Sequence, residues 1–272
     1  MTHGKLAIAF TLIGAIILGV IALFFIQKHY FVPTAAIPQN HIQPKIKIEK
    51  EQPINSKFTI PNSFLLPVPF TPQAPSANWD ELHNEACEEA AAIMSYAYFG
   101  DCPLCHSGLG PESTSKSRLT GQDIQTNLPT NFVESEISKL TNWQDDYFGY
   151  HLDTTSAETA KMISEKYKLQ TKLIENFTSN DIKNELTQNH LVIISENGQK
   201  LGNPFYKQPG PIHHMLLIKG FTETEFIAND SGTIRGLNYP YSFTTIYQAA
   251  ADWDHARHTV DENRKIMIAV WK

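Results

Sequence analysis

Cysteine is scarce, at three residues in 272. That is too few for a disulfide scaffold, and the odd number leaves at least one thiol unpaired within the chain, which raises the question of reactivity. Charge is sparse as well, at 18% of residues, with 28 acidic side chains against 22 basic ones and a net charge of -6 with His neutral. No basic block stands out, which excludes a nucleic-acid binder that works by neutralising phosphates. There is no internal repeat, and one Pro-containing segment is the sole low-complexity tract. What the chain does hold is apolar material, 42% hydrophobic and 11% aromatic, enough to fill a core and to argue against disorder over most of the length. The length suits one large domain or two small ones.

Residues Leu6 to Ile26 form an uncharged apolar run. As a helix of about 21 residues it would be roughly 32 Å long, enough to cross a bilayer. A cleavable signal normally has a shorter apolar region and a small-residue cleavage site, so the reading is an uncleaved anchor within residues 1–31. Residues 32–62 carry Pro33, Pro38, Pro44, Pro53 and Pro61 without a sustained apolar period, and read as a tether. Residues 63–272 are globular in pattern and contain no second uncharged stretch near 18 residues. The expected topology is single-pass, with the N-terminus cytoplasmic and the domain outside; Lys5 is compatible with this and Lys28 argues weakly against it.

Within the globular part, Cys87 to Phe99 is Ala-rich with apolar residues at helical spacing and reads as a buried helix. Glu134 to Phe148 and Thr155 to Tyr167 read as amphipathic helices, the latter capped by Thr154, Thr155 or Ser156. A strand near Thr171 to Ile174, a helix near Ser179 to Gln188 and a strand at Leu191 to Ser195 follow. Met215 to Ile218 and Glu225 to Ala228 read as a strand pair meeting at Gly220, and Lys265 to Trp271 as a closing strand. Helices precede and strands gather in the second half, which predicts an α+β fold.

Cys87 draws attention because a thiol at a helix N-terminus faces unpaired backbone N–H groups and the positive end of the dipole, which favours thiolate. Glu88 and Glu89 offset that effect, so a cationic partner is needed. His213 and His214 open an apolar strand and supply it; successive strand residues face opposite ways, so one of the two meets the thiol. Asp230, in an Asn-Asp-Ser-Gly turn ending the next strand, is placed to fix an imidazole's tautomer and orientation. Gln73, in a Pro-rich extended segment, could aim its amide at an oxyanion.

Together these residues resemble a known pattern. Pro-Val-Pro-Phe-x-x-Gln, then Trp79, then Cys87 opening an Ala-rich helix that ends Tyr98-Phe99-Gly100, is similar to cysteine peptidase family thirty-nine, whose members share a papain-like fold and include bacteriocin leader peptidases. His214 six residues before Gly220, and Asp230 in its turn, match the second half of that family's pattern. The resemblance spans about Leu66 to Trp271. It implies Cys87 as nucleophile, His214 rather than His213 as general base, Asp230 as orienting acid and Gln73 as oxyanion donor, on an antiparallel sheet preceded by the Cys-bearing helix. Glu88 departs from the many relatives that carry Gly after the nucleophile. No Gly-x-x-x-x-Gly-Lys-Ser/Thr string accompanies the domain, so leader cleavage coupled to ATP-driven export is not implied.

Cys102-Pro103-Leu104-Cys105-His106 matches the C-x-x-C-H pattern of covalent haem attachment. It sits in a loop-like stretch rich in Gly, Ser and Pro, and the expectation is a local disulfide or thiol pair stapling that loop. No cofactor and no metal are expected. Gly202 to Pro211, just before His214, reads equally as a wall of a substrate groove or a connecting loop. The expected function is a membrane-anchored cysteine peptidase-like hydrolase acting on peptide or protein substrates, with an inactive peptide-binding module and a transglutaminase-like acyl transferase as alternatives.

Overall fold

The computed structural model describes residues 60–100 and 127–272. The apolar run at 6–26, most of the tether and the Cys102–His106 motif lie outside the described residues. Among those described, no helix is long and apolar enough to cross a membrane.

The elements in chain order are β1 (Phe64–Leu65), α1 (Glu81–Asn84), α2 (Cys87–Phe99), α3 (Thr130–Tyr147), α4 (Ser156–Tyr167), β2 (Gln170–Glu175), α5 (Ser179–Thr187), β3 (Leu191–Glu196), α6 (Gly198–Leu201), β4 (His214–Phe221), β5 (Glu225–Asn229), β6 (Tyr239–Ser242), α7 (Phe243–Ala249), β7 (Asp252–Asp254), β8 (Thr259–Asp261) and β9 (Ile266–Trp271). The main sheet runs β2-β9-β3-β4-β5-β6, with β1 pairing with the far end of β4. Its pairings are antiparallel. A β7–β8 hairpin stands apart. The α+β expectation and the antiparallel sheet of the second half are both met.

Local chemistry explains most of these elements. Thr155 and Thr178 cap α4 and α5 through reciprocal boxes with Glu158 and Asp181, each satisfying orphan N–H groups of a first turn. β3 and β4 are buried along their whole length, as strands covered on both faces are, so they read as continuous apolar runs rather than alternations. α2 is buried on nearly every side, at Ala90, Ala91, Ala92, Ile93, Met94 and Ala97. Its alanines let α3, α4 and β4 approach it closely.

One expectation needs correction, and an edge strand was absent from the expectations. Gly220 is not the turn between β4 and β5: β4 runs on to Phe221, with a register shift between Ile218 and Gly220. A Cβ at Gly220 would stand 2.5 Å from the Phe64 carbonyl oxygen, so the glycine admits β1 rather than turning the chain. β6 carries no apolar alternation in Tyr-Pro-Tyr-Ser and was not foreseen; Pro240 is tolerated because β6 is the sheet edge.

Candidate active site

The first turn of α2 delivers Cys87 to the start of β4. Ala86 at the N-cap offers no side-chain cap, so the first-turn amides have no intrahelical acceptor. Cys87 is buried and in no disulfide. Met215 N–H donates to its Sγ at 3.2 Å, and the thiol itself donates to Glu88 Oε2 at 3.0 Å. Burial first, then the Glu88 charge and hydrogen bond, push the thiol well above its ordinary range, against a smaller opposing effect of the Met215 N–H.

A cavity of about 820 Å³ opens beside the sulfur, lined by Gln73, Cys87, His213, His214 and Gly232 among others. Trp79, Phe205 and Ile234 give it an exposed apolar rim. His214 Nε2 lies 3.0 Å from Asp230 Oδ1. Asp230 Oδ2 accepts from Asn203 Nδ2 at 2.8 Å, Tyr206 OH at 2.7 Å and Tyr241 OH at 2.5 Å, while Gly232 N–H donates to Oδ1 at 3.0 Å. Burial opposes ionisation of Asp230, but His214, Tyr241 and Tyr206 outweigh it and hold the carboxyl below its usual range. The Tyr206 ring meets the His214 ring edge-on at 5.6 Å. Gly232 is required there: a Cβ would stand 2.8 Å from the Tyr206 ring and 3.2 Å from His214 Cε1.

His213 enters a second network. Its Nδ1 is 3.0 Å from Asp153 Oδ1 and 3.6 Å from Glu88 Oε1, and its Nε2 is 3.0 Å from Ser195 Oγ. Burial works against protonation of this imidazole, but the Asp153 hydrogen bond and the Glu88, Asp153 and Asp252 charges together raise its pKa above the ordinary value. Glu88 is anchored in turn by Thr154 N–H at 2.8 Å. Donor atoms of Cys87, Glu88 and His213 all lie within 4.8 Å of one another. Beneath them Glu89, which accepts from Gln144 Nε2, is raised to about 8 by burial and the Glu88 charge.

Strand alternation therefore does not separate the two histidines. His213 lies just before β4, so both line the cavity. Gln73 is also in the lining, but its Nε2 donates to the carbonyls of His83 and Asn84, each at 2.9 Å. An oxyanion role for that amide needs one of these bonds exchanged. The loop before His214, undecided from sequence, both walls the cavity through Phe205 to Pro211 and holds Asp230 through Asn203 and Tyr206. Asp153, Ser195 and Tyr241 carried no sequence signal, and Thr154 only that of a helix cap, since each acquires its role here through a distant contact.

The sequence pattern of the Peptidase_C39 like family matches residues 65–260. A crystal structure from Bacillus anthracis, described as a C39-like peptidase, is similar over 77% of this chain and 98% of its own, at 12% identity and a TM-score of 0.43. No curated protein matches the chain.

Proposed function

Since the chain belongs to the Peptidase_C39 like family, we propose that its folded domain is a cysteine peptidase-like hydrolase in which Cys87, His214 and Asp230 form the triad. The observation that carries this reading is the placement of Cys87 at the head of α2 and of the His214–Asp230 pair on one cavity. With Nε2–H donated to Asp230, the Nδ1 lone pair of His214 is left to take the thiol proton. The resulting thiolate attacks an amide carbonyl, and the His214 imidazolium returns the proton to the leaving amine. Water, deprotonated by the same imidazole, then releases the acyl group as a carboxylate. The Cys87 N–H, in the first turn of α2, suits the oxyanion, with Gln73 as the second donor after one of its carbonyl bonds is exchanged.

One observation favours a second reading, a peptide-binding module without turnover: the thiol donates to Glu88 and makes no hydrogen bond to His214. A peptide-library screen with and without added amine separates the cases. Hydrolysis lost on Cys87→Ala supports the peptidase, amine incorporation supports an acyl transferase, and neither product with retained peptide binding supports the module.

We further propose that residues 6–26 anchor the protein in a membrane, that residues 32–62 tether the domain, and that the domain lies outside the cytoplasm. The apolar run supports this. Protease accessibility in intact cells tests it, and shielding of the domain until the membrane is broken overturns the orientation.

A further inference from the structure

The network on the Glu88 side of the sulfur has a chemistry of its own. A thiol, a carboxylate and an imidazole converge with donor atoms within 4.8 Å of one another, and all three side chains are buried. The sulfur–carboxylate contact is 3.0 Å and the imidazole–carboxylate contact 3.6 Å. In a tetrahedral site with metal–ligand bonds of roughly 2.0 to 2.3 Å, neighbouring donors stand at about such separations. We infer that Cys87 Sγ, the Glu88 carboxylate and His213 Nδ1 form a binding site for a zinc-like divalent cation, one that withholds the Cys87 sulfur from substrate when filled. The withholding rests on Cys87 being the nucleophile; the binding does not. This goes beyond the sequence, which led to an expectation of no metal.

Three further features support the site. Sulfur, nitrogen and oxygen donors together suit zinc or cobalt better than calcium or magnesium, which take oxygen sets. His213 Nδ1 carries a proton toward Asp153 Oδ1; once a metal displaces that proton, Ser195 Oγ at 3.0 Å from Nε2 accepts the hydrogen bond of the remaining N–H, the usual orienting contact of a ligating histidine. The surroundings are also negative: Asp153 Oδ1 is 3.0 Å from the same Nδ1 and stands next to the cluster as a further oxygen donor, and Glu85 lines the cavity with Cys87 and His213. A cation enters through that cavity. On binding, the Cys87 thiol proton passes to solvent as the sulfur–metal bond forms, and a His213 imidazolium releases a second, so occupancy strengthens with pH.

The test is a cobalt(II) titration of the full-length, reduced protein in a Cys102→Ser, Cys105→Ser background, which removes the other two thiols. The expected result is a near-ultraviolet thiolate-to-cobalt charge-transfer band that zinc bleaches by displacement. Cys87→Ser, with an unchanged circular dichroism spectrum, abolishes the band. Glu88→Gln and His213→Asn each weaken cobalt binding by more than about tenfold, since even outer contacts of metal sites are worth 10- to 100-fold. Absence of the band at saturating cobalt, its survival in Cys87→Ser, or unchanged affinity in both ligand variants overturns the site. The spectrum is read without substrate. A band in a protein that cleaves nothing leaves the metal site standing and removes the peptidase reading, whereas cleavage unaffected by saturating zinc removes the withholding.

Discussion

The two flanks of the Cys87 sulfur are built differently. On one, His214 is held by a single carboxylate, Asp230, which four donors from three segments keep ionised: Asn203 and Tyr206 from the loop before β4, Gly232 from its own turn, and Tyr241 from β6. On the other, His213 stands between Asp153 and Glu88 with Ser195 behind it. The first flank surrounds one carboxylate with neutral donors, which keeps it an acceptor and orients the imidazole against it. The second sets a cation against two anions, which favours imidazolium and keeps the neighbouring thiol protonated. In the proposed mechanism the first side moves a proton and the second holds one.

The largest break in this comparison is Asp230→Asn, which keeps the shape but removes the negative charge that His214 Nε2 faces. Peptide cleavage should fall by on the order of 10³ in kcat with the KM little changed, and an undiminished kcat would remove Asp230 from the triad. Next comes Gly232→Ala, whose methyl would enter the space of the Tyr206 ring and His214 Cε1. Displacing the imidazole by a few tenths of an ångström should cost roughly tenfold in kcat, while Cys87 labelling by iodoacetamide at high pH, where the thiol ionises unaided, stays unchanged. Glu88→Gln acts on the opposite flank: it removes the charge that holds the thiol up, so the pH profile of iodoacetamide labelling should move to lower pH, with a gain of about tenfold at pH 7 for each pKa unit. A profile that stays in place would assign the suppressed thiol to burial alone.

The smallest effect concerns His83 in α1, whose neighbours supply the cavity wall. Its ring nitrogens lie 2.6 Å from Asp80 Oδ1 and 2.8 Å from Glu134 Oε2. Burial opposes protonation, but the two carboxylates raise the pKa above 6.5. A folded-state pKa above the unfolded value means that this stabilisation is complete below pH 6.5 and is lost as pH rises through the higher folded value. Because the carboxylates are partly exposed, the effect should be no more than about 1 kcal/mol. Urea denaturation at pH 5.5 and 8.5 should show that difference in the wild type and a smaller one in His83→Asn; equal differences would mean the clamp carries no linkage.

Much of the scaffold was legible because its signals are local. The capping box at Thr155, the apolar run of β3 and the alanines of α2 each report a neighbour within a few positions or a face that must be buried. The short elements β6, β7, β8 and α1 were not legible, since strands of three or four residues have no room for a period. In the site, Cys87, His214 and Asp230 stood out as chemically distinctive residues at element ends. Gln73 was placed on the cavity by the same reasoning, yet its amide protons face two carbonyls of α1, a contact across ten residues that composition does not encode.

The sequence by itself determined that a cysteine opens a buried helix and that a histidine and an aspartate end neighbouring strands, because helix starts and strand ends are written in local pattern. Only the tertiary structure decided which groups surround the sulfur. Thr154 reaches the first turn of α2 from 66 positions away, Asp153 reaches His213 across 60, and Asn203 and Tyr241 close on Asp230 from either side of β4 and β5. A carboxylate next to a cysteine in the chain could have pointed to solvent. Its burial, with the thiol on one oxygen and Thr154 N–H on the other, follows from the packing of α2 among α3, α4 and β4, which requires its oxygens to find partners within the fold.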